Sequence, residues 1–167
     1  MCGANRGLQT LGQIESKESE LTMETFNLFN GETDAVPVGA PGDRGTAARV
    51  GSKLRASRLG MSVYDLPPGE AIGPYHFEWT DEEWLIALAG TVAFRGPNGE
   101  QTLEPGDVVC FPAGPDGAHQ VRNAGEVPAR VAIVSTQNEF GIVEYPEEEK
   151  VGIWAGGGHY TLDRPRG

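Results

Sequence analysis

The chain has 167 residues and a mass of 17.8 kDa, enough for one ordinary domain. Thirteen Lys and Arg residues against 24 Asp and Glu residues give a net charge of −11, with no basic stripe to offset it. A chain this acidic repels phosphate backbones and anionic lipid heads, which excludes nucleic-acid binding and membrane-surface binding as expected functions.

The first 22 residues are polar, show no sustained periodicity and lack the apolar core of a secretory signal. We expect a disordered extension that ends just before Met23. No later run reaches the ~18 apolar residues that cross a bilayer. Cys2 and Cys110 form no CxxC motif and no disulfide framework. A reduced, cytoplasmic protein is therefore expected.

Residues 23–150 are predicted to form a single domain. An irregular lead-in with one short strand opens it, and from Leu54 short strand-like runs alternate with turns rich in Gly and Pro. The runs are LRASRLGMSVYDL, AIGPYHFEW, EEWLIALAGTVAFR, EQTLE, DVVCF, HQVRN and ARVAIVST. Short strands separated by such turns predict an all-β sandwich or barrel, and no segment supplies the long helices of a βαβ unit.

Two short segments have the chemistry of tight turns. GPNG, residues 96–99, is predicted to close a hairpin, and EPGD, residues 104–107, has proline at the second position of a turn. After Phe140 the runs YPEEEK and VGIW indicate a segment that packs Tyr145 and Trp154. We assign residues 151–167 as a C-terminal arm.

Two of the three histidines lie in strand-like runs that also carry carboxylates. Strand alternation places His76 and Glu78 on the same face, Glu83 opens the next run, and His119 begins a later one. Glu82 is an alternative to Glu83, since only one of two adjacent strand residues faces inward. Imidazole nitrogen together with carboxylate oxygen suits Fe, Mn, Ni or Zn. The alternative is that both histidines are ordinary strand residues with satisfied hydrogen bonds.

These residues fall on two motifs that resemble those of the cupin superfamily. The first motif is PG, several residues, HxH, three or four residues, E, six residues, G; the second is G, five residues, PxG, two residues, H, three residues, N. The first reads here as Pro68-Gly69, EAIGPY, His76-Phe77-Glu78, WTDE, Glu83, WLIALA, Gly90. The second reads as Gly106, DVVCF, Pro112-Ala113-Gly114, PDGA, His119, QVR, Asn123. The spacing of six residues to Gly90 favours Glu83 over Glu82.

The resemblance implies a cupin-type jelly-roll barrel, a double-stranded β-helix, that assembles as a homodimer. It also implies one divalent metal ion, of unknown identity, held by His76, Glu78, Glu83 and His119. Two features depart from the family pattern: Glu78 replaces the second histidine of HxH, and two extra residues precede His119. The ending YPEEEKVGIW is similar to that of a group of small single-domain bacterial cupins.

Two functions from different classes are compatible with this site. The first is a metal-dependent enzyme, an oxygenase, isomerase or lyase, acting on a small oxygenated organic molecule or sugar derivative. The second is a non-catalytic module that binds or senses a small molecule. No general acid or base stands out beyond the four candidate ligands, so the sequence assigns no catalytic residue.

Several other side chains are expected to have structural roles. Cys110 is expected to be a small buried hydrophobe, His159 a surface residue and Asn123 a hydrogen-bonding residue of a turn. Tyr75, Trp79 and Trp84 are expected to pack in the core or at its rim. Arg95 and Arg122 are expected to lie at solvated strand ends.

Overall fold

The computed structural model describes residues 22–34 and 45–164. Its strands are β1 (Thr46–Ala48), β2 (Leu59–Leu66), β3 (Ala71–Glu78), β4 (Glu83–Ala89), β5 (Val92–Gly96), β6 (Gly99–Leu103), β7 (Val108–Phe111), β8 (His119–Asn123), β9 (Ala129–Thr136), β10 (Phe140–Tyr145), β11 (Lys150–Ala155) and β12 (Gly158–Asp163). One short helix, α1 (Val50–Lys53), follows β1, and a 3₁₀ turn (Pro115–Gly117) precedes β8. Of the helices in the described part of the chain, none has the length and hydrophobicity of a membrane span.

The strands form two antiparallel sheets. The five-stranded sheet has the order β1-β2-β9-β4-β7, and the seven-stranded sheet has the order β12-β11-β10-β3-β8-β5-β6. Neighbours such as β2 and β9, or β3 and β8, are far apart in sequence. The chain thus passes repeatedly from one sheet to the other, which confirms the predicted all-β jelly roll.

The core lies between the two sheets. Leu66 and Leu85 from the five-stranded sheet, with Val92 and Val121 from the seven-stranded sheet, are at most 2% exposed. Each such side chain contributes roughly 1.5–3 kcal/mol of hydrophobic stabilisation. Alternation of side chains along each strand supplies these inward positions, as the sequence predicted.

The inward positions change from apolar to polar toward one end of the sandwich. Along β4 the inward position two residues before Leu85 is Glu83, and along β9 the one two residues after Ile133 is Ser135. On β2, Ser62 is the inward residue level with Ile133, and it also lines the polar cavity. One end of the interior is therefore hydrophobic and stabilises the fold, whereas the other is polar and can hold a ligand.

The predicted turns are confirmed. Gly96 pairs with Gly99 at the end of the β5–β6 hairpin, and the Asp107 amide donates to the Glu104 carbonyl in the second turn. The long run predicted over residues 82–95 is divided at Gly90, which has a φ of 74°. A Cβ at Gly90 would lie 2.8 Å from the Ala129 Cα, so this turn requires glycine.

The described chain begins at Thr22, at the end of the extension predicted from the sequence. Residues 1–21, predicted with Thr22 as a disordered extension, lie outside the described residues. Residues 22–34 pack on the outer face of the five-stranded sheet, where Arg130 donates from Nε to the Leu28 carbonyl at 2.7 Å and from Nη1 to the Asp65 carboxylate.

The C-terminal segment assigned as an arm contains strands. β11 and β12 pair with each other, and β11 pairs with β10, so this hairpin extends the seven-stranded sheet to its edge. Trp154 is 48% exposed and stacks on His159, with ring centroids 4.0 Å apart. His159 lies at the surface, as predicted.

One burial prediction is wrong. Cys110 is exposed, not buried, because Phe111 and Val109 take the inward side of β7 and leave Cys110 on the outer face. A strand of four apolar residues has no polar alternation that reveals which face is inward. Partial desolvation by its neighbours and the nearby Glu82 charge raise the pKa of Cys110.

Candidate metal centre

Two histidines face each other across neighbouring strands of the seven-stranded sheet. His76 of β3 and His119 of β8 are direct cross-strand partners, and their ring centroids are 4.7 Å apart. A register shift in β3 between Ile72 and His76 precedes this pairing. The Phe111 ring stacks on the His119 imidazole at 3.7 Å with an interplanar angle of 5°, which fixes the orientation of a side chain that is only 3% exposed.

The third member of the cluster comes from the opposite sheet. Glu83, the first residue of β4, points inward, and its Oε2 lies 3.8 Å from His76 Nε2 and 3.5 Å from His119 Nε2. The candidate ligand atoms of the three residues all lie within 4.8 Å of one another. Ligands that each lie ~2.1 Å from one ion are roughly 3.0–3.4 Å apart. The cluster is therefore close to the size that a divalent ion needs.

Both imidazoles are held in one tautomer by the backbone. Nδ1 of His76 lies 2.9 Å from the Pro74 carbonyl oxygen, and Nδ1 of His119 lies 2.9 Å from that of Gly117. Each Nδ1–H donates to its carbonyl, which leaves Nε2 of each ring as the nitrogen that faces Glu83. Histidine ligands of metals are oriented in this way by a second hydrogen bond. The donor set thus fits a divalent ion.

The charges of the cluster also suit a cation. Burial, reinforced by the neighbouring His76, lowers the pKa of His119 to about 4, so its imidazole is neutral at pH 7. Burial also lowers the pKa of His76, but the hydrogen bond and charge of Glu83 outweigh it and raise this pKa above its usual value. Burial raises the pKa of Glu83, yet the two histidines bring it below its ordinary value, so the carboxylate is ionised.

Glu78 and Glu82 are the two other carboxylates considered from the sequence. Glu78 follows His76 on the same face, but its carboxylate is not one of the atoms gathered within 4.8 Å. Its place in the ligand set therefore stays a prediction. Glu82 is exposed and accepts a hydrogen bond from Trp84 Nε1 at 2.8 Å, so it is Glu83 that faces the histidines.

The extra residues before His119 form part of its support. The loop contains the 3₁₀ turn, and the carbonyl of Gly117 accepts the His119 Nδ1–H. A Cβ at Gly117 would lie 1.8 Å from the Pro112 carbonyl oxygen, so only glycine fits here. The close approach of Gly117 to Pro112 thus fixes the carbonyl that orients His119.

A cavity of about 420 Å³ opens at the polar end of the sandwich. Glu78 and Glu83 line it from one side, and Ser62 and Ser135 contribute hydroxyl groups from the five-stranded sheet. Arg49, which precedes α1, lines the same cavity. The candidate metal centre therefore adjoins a space large enough for a small organic molecule.

Sequence reasoning missed two side chains beside this site. Tyr145 was predicted only to pack the C-terminal segment, yet its ring lies 5.9 Å from that of His76. Burial and the Glu78 charge raise the pKa of its phenol. Tyr145 lies on the same face of its strand as Val143, which pairs with Glu78. This placement near the site follows only from the strand pairing, which the sequence does not give. Arg49 carried no signal at all.

The remaining side chains singled out from the sequence lie away from the centre. Arg95 pairs with Glu147 at 2.7 Å, and Arg122 with Glu100 at 2.6 Å, at solvated positions as expected. Trp79 is 48% exposed at the rim and donates from Nε1 to the Glu144 carboxylate.

The charge state of Glu78 gives a pH-dependent prediction. Burial and the Glu83 charge raise its pKa to about 7, above the ordinary 4.5. The folded metal-free chain therefore binds a proton more tightly than the unfolded chain, and its stability falls as the pH rises from about 4.5 through 7. We expect Glu78→Gln to stabilise the metal-free protein by about 2 kcal/mol at pH 8 and by little at pH 5.

Urea unfolding of chelator-treated protein at both pH values measures this effect. Glu82→Gln, a change of the exposed neighbour, is the matched control and should alter neither value. An unchanged pH dependence in Glu78→Gln would show that Glu78 is already well solvated or paired.

The two facing sheets and the cluster of two histidines and one carboxylate define a jelly-roll protein with a candidate metal site. The family model of the cupin domain matches residues 62–135, a range that begins within β2, ends within β9 and contains all three clustered residues. The chain belongs to the cupin superfamily.

Solved structures share this fold. A candidate sugar phosphate isomerase from Acidithiobacillus ferrooxidans is 24% identical, with a TM-score of 0.68 over 74% of this chain and 78% of that one. A sugar phosphate isomerase of the cupin superfamily from Silicibacter pomeroyi is 23% identical, with the same TM-score over 74% of this chain and 80% of that one. The polyketide cyclase RemF from Streptomyces resistomycificus is 18% identical, with a TM-score of 0.56 over 69% and 80%. No curated protein matches the chain significantly.

Proposed function

We propose that the protein is a metal-dependent enzyme that acts on a small oxygenated organic molecule or sugar derivative. One divalent ion, Fe, Mn, Ni or Zn, is held by His76, Glu83 and His119, with Glu78 as a candidate fourth ligand. The observation that carries the proposal is the arrangement of two Nε2 atoms and one carboxylate oxygen within 4.8 Å, each imidazole being fixed through Nδ1.

The chain's own residues prepare this site for polar chemistry. A divalent ion bound here supplies a Lewis acid that polarises a carbonyl or hydroxyl oxygen. Glu83 contributes one negative charge and leaves a net positive centre. Phe111 covers one face of the His119 ring and keeps water from it. The serine hydroxyls of the cavity can donate to, and accept from, the hydroxyl groups of a substrate.

Proton transfer has two candidate carriers beside the cluster. The Glu78 carboxyl, with a pKa of about 7, can hold or release a proton near neutral pH. The Tyr145 phenol lies beyond the His76 ring and can donate a hydrogen bond from its hydroxyl. If Glu78 is the fourth ligand, Glu78→Gln weakens metal binding; if it is the proton carrier, metal binding is retained and turnover falls.

Among the reaction classes considered, we favour an isomerase. Two of the similar structures are named as sugar phosphate isomerases and a third as a polyketide cyclase, which supports testing isomerisation before oxygenation. Lewis-acid chemistry of this kind is indifferent to dioxygen, whereas an oxygenase requires it.

The experiment combines metal analysis with turnover. Protein purified without added metal is reconstituted with each of the four ions, and aldose–ketose interconversion of sugars and sugar phosphates is followed by NMR, with and without dioxygen. We expect turnover with one ion that is lost in His76→Ala and kept in His159→Ala. Metal binding without turnover of any substrate would favour a non-catalytic binding or sensing module instead.

The proposal includes a homodimer. The outer face of the five-stranded sheet exposes Leu59, Trp84 and Val108 at 54%, 46% and 50%, more apolar surface than a strand face in water usually carries. Light scattering coupled to size exclusion should give twice the 17.8 kDa of one chain. A mass of one chain at micromolar concentration would contradict this part of the proposal.

A further inference from the structure

The cavity beside the candidate metal centre has one cationic side chain. Among the described residues that line it, Arg49 is the only Lys or Arg, whereas Glu78, Asp81 and Glu83 are acidic. Asp81 already accepts hydrogen bonds from the Thr136 hydroxyl at 3.0 Å and from the Asn138 amide at 2.8 Å. The charges of the cavity are therefore separated in space. The acidic groups lie at the end of β3, just after it and at the start of β4, whereas the Arg49 guanidinium lies beyond β2.

Arg49 is oriented by contacts that leave most of its donors open. Its Nη1 donates to the Ser62 hydroxyl and to the Tyr64 hydroxyl, both at 3.1 Å. Within the described part of the chain neither Nε nor Nη2 of Arg49 has a hydrogen-bond partner, and the residue forms no ion pair. One edge of the guanidinium thus presents two parallel N–H donors, which is the geometry that binds two oxygens of an anion.

The spacing between Arg49 and Glu83 suits a small linear molecule. Three steps of about 4.8 Å lead from β1 through β2 and β9 to β4, and the strand registers place Arg49 level with Leu85, two residues along β4 from Glu83. The backbones at Arg49 and Glu83 are therefore roughly 16 Å apart. The hydroxyls of Ser62 and Ser135 lie on the two strands between them. A ligand can therefore contact the metal centre at one end, hydroxyl groups along its length and Arg49 at the other end.

We propose that Arg49 is an anion-binding residue of this cavity and selects small polyols that carry a terminal phosphate. This inference rests on the proposed function, in which the opposite end of the substrate reaches the metal centre. Phosphate suits Arg49 because it presents at least two oxygens to the open edge of the guanidinium and further acceptors to neighbouring hydroxyl groups.

The test compares sugars with their phosphates on metal-loaded protein. The probes are D-ribose with D-ribose 5-phosphate, D-fructose with D-fructose 6-phosphate, and inorganic phosphate, with affinity measured by calorimetry and ³¹P NMR. We expect the wild type to prefer the phosphorylated member of at least one pair by about 10-fold to 100-fold. Arg49→Gln should reduce this preference below about twofold, and Arg49→Lys should keep part of it.

Arg58→Gln is the matched control, because Arg58 is exposed, lies outside the cavity and gives the same change of net charge. The absence of any phosphate preference in the wild type, or an equal preference in Arg49→Gln, would overturn the inference. The same comparison on His119→Ala separates the two proposals. A phosphate preference that persists in that variant without metal binding supports Arg49 as an anion site even where the proposed enzyme activity fails.

Discussion

Replacing His119 by Ala is expected to reduce bound metal from about one ion per chain to nearly none and to weaken metal affinity by at least 100-fold. Nε2 of this residue is one of the three candidate ligand atoms, and loss of a hydrogen bond that only supports a metal ligand already lowers metal affinity 10-fold to 100-fold. The fold should survive, because the lost stacking on Phe111 contributes only about 1 kcal/mol against a typical stability of 5–15 kcal/mol. Calorimetric titration with Zn²⁺ and Mn²⁺ measures the change.

His76→Ala should behave in the same way, whereas His159→Ala is the matched control. His159 stacks on Trp154 at the exposed end of the seven-stranded sheet, outside the cluster. Full metal binding in both His76→Ala and His119→Ala would show that the ligands are other residues. Circular dichroism of each variant establishes that the strands remain.

Replacing Asn123 by Ala is expected to destabilise the fold by about 3 kcal/mol and to lower the melting temperature by roughly 6–12 °C. Asn123 is 0% exposed, and its Nδ2 donates to the carbonyls of Leu66 and Val127, each at 2.8 Å. Its Oδ1 accepts the Gly125 amide at 2.8 Å. Alanine removes all three hydrogen bonds and leaves the buried Leu66 carbonyl without its side-chain donor.

Thermal and urea unfolding of metal-free protein measure this loss. Gln101→Ala removes an amide from an exposed strand position and should change the stability by less than about 0.5 kcal/mol. A melting temperature of Asn123→Ala within 2 °C of the wild type, roughly 1 kcal/mol or less, would mean that water replaces the amide at little cost. The role of Asn123 as a turn residue, predicted from the sequence, would then need another explanation.

The fold could be predicted from the sequence because its determinants are local. Alternation along runs such as 129–136, and turns closed by Gly and Pro, report on each strand separately. The same local reasoning placed His76 and Glu78 on one face of their strand, and motif spacing favoured Glu83 over its neighbour Glu82. What joined these residues to His119 was the resemblance to the cupins, since alternation alone does not bring strands together.

Features that depend on strand pairing could not be predicted. Tyr145 approaches His76 because β10 pairs with β3, and Arg49 reaches the cavity because β1 pairs with β2. The exposure of Cys110 depends on which side of β7 meets the core. None of these facts has a counterpart in local periodicity, because the partners are far apart in sequence or the strand is apolar throughout.

The proposed function requires one divalent ion between the two imidazoles and the Glu83 carboxylate. Anomalous X-ray scattering at the absorption edge of the ion, from crystals of reconstituted protein, tests it most directly. We predict a single anomalous peak ~2.0–2.2 Å from Nε2 of His76, Nε2 of His119 and a carboxylate oxygen of Glu83. A peak elsewhere, or no peak in crystals grown with the ion in solution, would show that these three residues do not hold the metal.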